Sequence, residues 1–216
     1  RQRQMCIRDR YHGCENPSEN MMESPIIKRL CGNNLIRLSQ CRRSCVELFN
    51  LYTGVQLSDL PELRARFPFK MQDYEWDQKD MLLTLTHRTR IAVNKCFNRR
   101  CTVRTRTAGP GRWIAIEKTK DPYSQEMQLY EGCPLFCIRT EEARGVFNQL
   151  PCEVEGINPL RVLGQTWTEK AFTENFRLGY ARTFASAQGA TCHGKVIMFD
   201  TDHKHFSRRT LLVGCS

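Results

Sequence analysis

The stretch DMLLTLTHRTRIAVN, Asp80–Asn94, decides the fold. Asp80–Thr86 is a run of apolar and β-favouring residues bounded by charge, the pattern of a strand buried on both faces. Arg88–Asn98 follows at once, with Ala92 and Cys96 on one helical side and Val93 and Phe97 beside them. A strand that enters a helix with almost no linker is the βα unit of an α/β sheet.

Upstream, Leu35–Leu38 reads as a short strand, and Arg43–Tyr52 as a helix with Val46, Phe49 and Tyr52 at helical spacing and Gly54 as its stop. Gly54–Asp77 contains Pro61 and Pro68 and reads as irregular. Tyr11–Ser24 is polar, with Asn16, Pro17 and Asn20, and reads as a linker. The opening RQRQMCIRDR (Arg1–Arg10) looks like translated adapter sequence and is set aside from the fold.

Downstream, short strand-like runs appear at Arg112–Glu117, Cys133–Arg139, Cys152–Glu155 and Leu160–Leu163. Gly109-Pro110-Gly111, Gly132, Gly156 and Pro159 punctuate them. Such short, closely spaced strands suggest a small β-barrel inserted into the α/β domain. The α/β pattern returns with Phe176–Phe184, Lys195–Asp200 and Arg209–Ser216. The expected division is therefore a linker over 11–23, an α/β part over 24–100, a β-rich insertion over 101–175, and a second α/β part over 176–216.

Of the 216 residues, 40% are hydrophobic and 26% charged, which suits a packed core and not wholesale disorder. No apolar run is long enough to cross a membrane, no secretory signal is evident, and no membrane partner is expected. The net charge of +10 favours an anionic partner. His87 through Ile116 holds Arg88, Arg90, Lys95, Arg99, Arg100, Arg104, Arg106 and Arg112 and no Asp or Glu. Such a run suits phosphates, and Phe97 and Trp113 lie near enough to stack bases, although each equally suits a core. A charge run is also what a solvated helix face looks like.

Twelve cysteines are many for this length. Cys41/Cys45, Cys96/Cys101 and Cys133/Cys137 invite a zinc reading, but their spacings are looser than those of structural zinc sites. Reduced, buried thiols are the plainer reading, and no metal ligand is assigned.

Tyr180–Thr191 (YARTFASAQGAT) has its own physical logic: a β-favouring stretch runs into small residues and then Gln188-Gly189 and Thr191. Small side chains and a glycine let backbone amides approach an anion or a nucleic-acid backbone closely. On the residues alone, a structural turn explains it as well.

This stretch resembles motif V of superfamily 1 helicases of the Pif/RecD-like type, T-x-H-K-S-Q-G-x-T. Thr183, Gln188, Gly189 and Thr191 match, Ser186 fits the close variant with Ser-Ala before the Gln, and Ala185 replaces the motif's His. Leu38–Ser44 resembles motif IV, L-x-Q-N-Y-R-S, with its arginine on Arg43. Asp80–Asn94 resembles the strand-helix segment L-x-x-T-N-x-x-x-x-x-I-N, with His87 in place of the Asn. Tyr130–Leu163 resembles in layout an SH3-like insertion, and Phe206–Ser216 the approach to motif VI, L-Y-V-A-L-S-R. The S-A-Q-G-A-T variant and Asp200–His203 resemble helicases of large-DNA-virus type.

The resemblance implies an α/β fold: a second RecA-like domain, parallel sheet with flanking helices, interrupted by an SH3-like β-barrel. It implies an ATP-dependent DNA helicase that moves on single-stranded DNA and unwinds duplex; the location is left unknown, and an intracellular, nuclear or viral replication site is compatible with it. Arg43 would stabilise charge on the transferring phosphoryl group. Gln188, Gly189 and Thr191 would couple the ATP cleft to the DNA track. Thr86, His87, Arg88, Thr183 and Ser186 would contact the strand. ATP and Mg²⁺ would be held mainly by an N-terminal RecA-like domain carrying the Walker A loop, for no G-x-x-x-x-G-K-[ST] occurs here. The chain would then be a fragment, cut before the motif VI arginine and unable to hydrolyse ATP alone. A nucleic-acid-binding module without a motor, a cysteine-rich zinc-binding regulator, and a helicase-derived domain that has lost catalysis are the alternatives.

Overall fold

In the computed structural model, which describes residues 25–30, 32, 46–47, 50, 54, 57–107, 113–119, 123–188 and 190–215, the Asp80–Asn94 stretch is a strand followed by a helix. Strand β1 (Met81–Thr84) buries Leu82, Leu83 and Thr84, and after two residues the helix His87–Thr107 begins. Arg90, Val93, Asn94, Phe97, Asn98 and Thr102 form its buried stripe, spaced three and four residues apart as a one-faced helix requires. The helix runs nine residues past Asn98, where the sequence pattern ends it. Thr102 Oγ1 donates to the Gln128 carbonyl at 3.5 Å, and Arg100 Nη1 donates to the Met71 carbonyl at 2.6 Å, so tertiary contacts carry the extension.

Further along come β2 (Trp113–Ile116), β3 (Met127–Tyr130), β4 (Pro134–Cys137), β5 (Pro151–Ile157), β6 (Leu160–Val162) and β7 (Gln165–Thr166). The helix Glu169–Asn175, β8 (Phe176–Leu178), β9 (Ala181–Thr183), the short helix Phe184–Ala187 and β10 (Val196–Met198) complete the larger unit. That unit comprises Phe69–Ala187 and Thr191–Asp200. β1 lies between β10 and β9, parallel to both, with Leu82 opposite Ile197 on one side and Ala181 on the other. β2 and β3 pair antiparallel, and a five-stranded antiparallel sheet runs in the order β7-β6-β5-β4-β8. The mixed α/β expectation is met.

No closed β-barrel is seen among the described residues: the antiparallel sheet is open, with no pairing between β7 and β8. β7 is two residues long, and the chain then turns at Thr168, whose hydroxyl accepts from the Ala171 N–H and starts the next helix. That turn ends the strand before it can close a barrel. Phe176–Leu178 also departs from the sequence reading, pairing antiparallel with β4 rather than joining the parallel sheet.

The two sheets are joined at Gly179-Tyr180. The Gly179 N–H donates to the Pro134 carbonyl at 2.8 Å, and a Cβ there would sit 2.9 Å from the Leu135 nitrogen, so only glycine lets the chain cross β4 so closely. Tyr180 is then buried, its hydroxyl 2.6 Å from that of Tyr130. From the long helix, Asn94 accepts from the Ala181 N–H at 2.8 Å and donates to the Leu178 and Ala181 carbonyls. Asn98 pairs in both directions with the Gln128 backbone, at 2.9 and 2.8 Å. These two amides bind the helix to β9 and β3, and Asn94 fixes the strand that leads into Thr183.

The smaller unit comprises Arg1–Pro68, Gln188–Ala190 and Thr201–Ser216. Its described helices are Pro25–Leu30, Leu60–Arg66 and Arg208–Cys215. The helix Leu60–Arg66 corrects the irregular reading of Gly54–Asp77: Pro61 lies in its first turn, where a missing N–H costs nothing. Val46, Glu47, Asn50 and Gly54 are helical, and the residues between Asn50 and Gly54 lie outside the described ones. Arg64 pairs with Asp202 and donates to Thr201 Oγ1 at 3.0 Å. Ser207 caps the last helix, accepting from the Thr210 N–H. The strand expected at Leu35–Leu38 lies outside the described residues.

Candidate nucleic-acid interface

Because β10, β1 and β9 are parallel, their carboxyl ends share one edge, the place where open α/β sheets bind ligands. After β1, Thr86 Oγ1 accepts from the Thr89 N–H at 3.1 Å and caps the long helix. After β10, Asp200 reaches the same turn. One carboxylate oxygen accepts from the N–H groups of Leu85 and Thr86 at 3.0 and 3.1 Å; the other accepts from Thr89 Oγ1 at 2.7 Å. Asp200 stands at φ 59°, a left-handed conformation that aspartate tolerates better than most residues. The positive end of the long helix is thus matched by a fixed carboxylate.

After β9, Thr183 Oγ1 accepts from the Ser186 N–H at 3.2 Å, and Ser186 Oγ donates to the Thr183 carbonyl at 3.0 Å. This mutual pair fixes the turn into Phe184–Ala187 and leaves Ala185 exposed where the resembled motif has His. Asp80 and Gly194 close the opposite end of the sheet. Asp80 accepts from the Lys195 N–H at 2.7 Å and from the Tyr74 hydroxyl. Partial burial pushes the Asp80 carboxyl up, but the hydrogen bonds from Tyr74 and Lys195 outweigh it and hold the group below its ordinary range. Burial first, then the Asp80 contact, pushes the Tyr74 hydroxyl up. A Cβ on Gly194 would lie 2.7 Å from the Lys79 carbonyl, so glycine is needed for that approach.

The basic run is divided among several tasks. Arg90 is buried and donates to the Tyr123 carbonyl at 2.8 Å. Arg100 anchors Met71 and sits over the Phe97 ring. Lys95 faces Glu126 at 3.8 Å and Arg104 faces Glu75 at 3.7 Å, both exposed pairs that contribute little to stability. Arg88 and Arg99 are exposed with no ion pair to another described residue. Phe97 is 1% exposed and stacks on Tyr180, which removes it as a base-stacking residue. Tyr123, outside the long helix, is 51% exposed, its ring centroid 4.2 Å from that of exposed His87.

Of the residues singled out in the sequence, Thr86, His87 and Arg88 come together with Thr183 and Ser186 at the carboxyl edge. Thr191 is exposed in the larger unit, while Gln188 belongs to the smaller one. Arg43 and Gly189 lie outside the described residues. No three His, Cys, Asp or Glu side chains gather among the described residues as a metal site would need. Cys133 is buried, and that burial pushes its thiol up to about 12, the behaviour of a core thiol. The described residues do not by themselves assemble a cradle for ATP or Mg²⁺. Asp200, Asn94 and Tyr123 were given no role at the site by the sequence, although Asp200 and Asn94 fall within stretches that carry the resemblance.

No protein-family description matches the sequence, and no curated protein matches it. Among solved structures, the fold is similar to that of a Pif1 helicase from Bacteroides in complex with ADP-AlF3 and ssDNA. The TM-score is 0.53 at 13% identity, over 83% of this chain and 49% of that one. A double mutant of Pif1 helicase from Bacteroides (TM-score 0.41, 14% identity, 82% and 48% covered) and unliganded Pif1 from Bacteroides sp (0.34, 13%, 84% and 48%) are also similar, more loosely. The chain spans about half the length of these helicase chains. What is shared is the fold: a mixed α/β arrangement with a parallel sheet, as in a RecA-like domain.

Proposed function

We propose that this chain is the second RecA-like part of an ATP-dependent superfamily 1 DNA helicase that moves on single-stranded DNA and unwinds duplex. The antiparallel strands between Thr107 and Gly179 would be the insertion within it. One observation carries the reading. Thr86–Arg88 and Thr183–Ser186, about a hundred residues apart in sequence, meet at the carboxyl edge of one parallel sheet, on a fold similar to a helicase solved with ssDNA. In this reading that edge grips the strand, with Thr183 and Ser186 fixing the turn and Arg88 facing phosphate. Gln188, Gly189 and Thr191 relay closure of the nucleotide cleft, and Arg43 stabilises charge on the transferring phosphoryl group. ATP and Mg²⁺ would be held chiefly by an N-terminal RecA-like domain carrying the Walker A loop that this sequence lacks.

The purified 216-residue chain should bind an oligonucleotide with an affinity that falls steeply as salt rises, and should turn over no ATP. Fluorescence anisotropy across a salt series and a phosphate-release assay measure the two. Binding that is absent at low salt would sink the gripping role. Turnover by the chain alone would sink the assignment of phosphate chemistry to another domain.

A further inference from the structure

The long helix divides its cations between two faces. Arg90 is buried, and Arg100 turns inward to the Met71 carbonyl. Arg88, Ala92, Lys95, Arg99 and Val103 are all exposed and follow one another at steps of three or four residues, so they form one outward stripe. A rise of about 1.5 Å per residue sets Arg88 and Arg99 roughly 16 Å apart along the axis, with Lys95 between them. None of the five is acidic and none carries a ring. Glu126 faces Lys95 at 3.8 Å, but the two side chains are 72% and 70% exposed, so water screens the pair and a phosphate can take its place. Ala92 is short enough for a polyanion to come close between the cations. A single strand is held by stacking its bases on rings, which this stripe does not offer. A double helix turns its bases inward and presents phosphates at one charge per about 1.7 Å of axis, the chemistry that a ringless row of cations fits.

We propose that the outward stripe of the long helix, Arg88, Lys95 and Arg99, is a docking face for the phosphate backbone of duplex DNA. The inference rests on the nucleic-acid reading above and adds a second contact to it. The carboxyl edge grips a strand, and the flank of the helix holds the double-stranded region beside it. Contacts to phosphate carry no sequence information, so the face holds any duplex alike.

The test measures the full chain against a labelled blunt duplex and a labelled single strand of the same length, by fluorescence anisotropy across a salt series. The wild type is expected to bind both. Lys95→Gln/Arg99→Gln, which changes two exposed side chains outside the carboxyl edge, should lower the duplex slope of log affinity against log salt by about two. Its single-strand affinity should stay at the wild-type value. Lys79→Gln/Lys170→Gln removes the same charge from exposed positions elsewhere and should keep the wild-type duplex slope. An equal fall in that control, an equal loss on both ligands in the first variant, or a wild type that binds only the single strand would overturn the docking face and leave the gripping edge intact. Retention on phosphatidylserine vesicles that Lys95→Gln/Arg99→Gln abolishes, with duplex binding unchanged, would assign the face to a membrane and overturn the duplex. Absence of binding to either nucleic acid would overturn both readings together.

Discussion

In the antiparallel sheet, Leu135, Val154, Val162, Phe176 and Leu178 are all at 1% exposure or less, and Trp167 packs edge-on against Phe176. In the parallel sheet, β10 leaves Val196 37% exposed and Ile197 and Met198 only half-buried. One sheet is held by apolar burial throughout. The other buries its central strand, with Leu82 and Leu83 at 1% exposure, but its outer strand β10 is thinly covered, and polar ties fix its ends and turns: Asn94 to Ala181, Asp80 to Lys195, and Asp200 to Leu85 and Thr86. The difference follows from what each has to do. A sheet edge that presents turns to a ligand cannot cover those turns with apolar side chains, so charged and amide groups must fix their geometry instead.

The largest effect should come from Asn94→Ala, because Asn94 is fully buried and serves three backbone groups of Leu178 and Ala181 at once. Leaving buried donors and acceptors unmet should cost about 3 kcal/mol, read as a lower midpoint in urea denaturation. A cost near that of an exposed substitution would show that burial, not polar ties, holds β9. Gly179→Ala should come next, at about 2 kcal/mol, since its Cβ would press on the Pro134–Leu135 backbone, which has no flexible side chain to yield. Circular dichroism melts should show that loss. Unchanged stability would mean that the crossing between the two sheets is looser than the close approach implies.

How much of this was legible beforehand depends on the range of the interactions. Asp80–Asn98 could be read because strand and helix periodicities are local, and the βα step follows from their adjacency. The helix end could not be read, because it rests on Arg100 finding the Met71 carbonyl. Barrel closure, which the described strands do not show, could not be read for a similar reason: strand lengths are visible in sequence, but which strands pair at the ends is not. At the site, the resemblance supplied Thr86 and Ser186, while Asp200 meets Thr86 across 114 residues and no local pattern announces that contact. His87 and Tyr123 share the difficulty, since nothing in either one's neighbourhood marks the other.

The smallest effect, and the one that separates the sheets most cleanly, should come from Asp80→Asn. Asp80 serves only the parallel sheet's amino-terminal end, through the Lys195 N–H and the Tyr74 hydroxyl. Asparagine keeps the shape and loses the charge-assisted part of both bonds, a loss of about 1 kcal/mol at neutral pH. The pH dependence has a definite sign. Asp80 is held below its ordinary value of 3.8 when folded, so its contribution is full above that value and fades as pH falls through the folded-state value. Wild type and Asp80→Asn should therefore differ in urea midpoint at pH 7 and converge in strong acid. A gap of the same size at both ends would show that the variant acts through packing. Convergence would place charge where apolar burial is thin, the trait that sets the parallel sheet apart from its antiparallel neighbour.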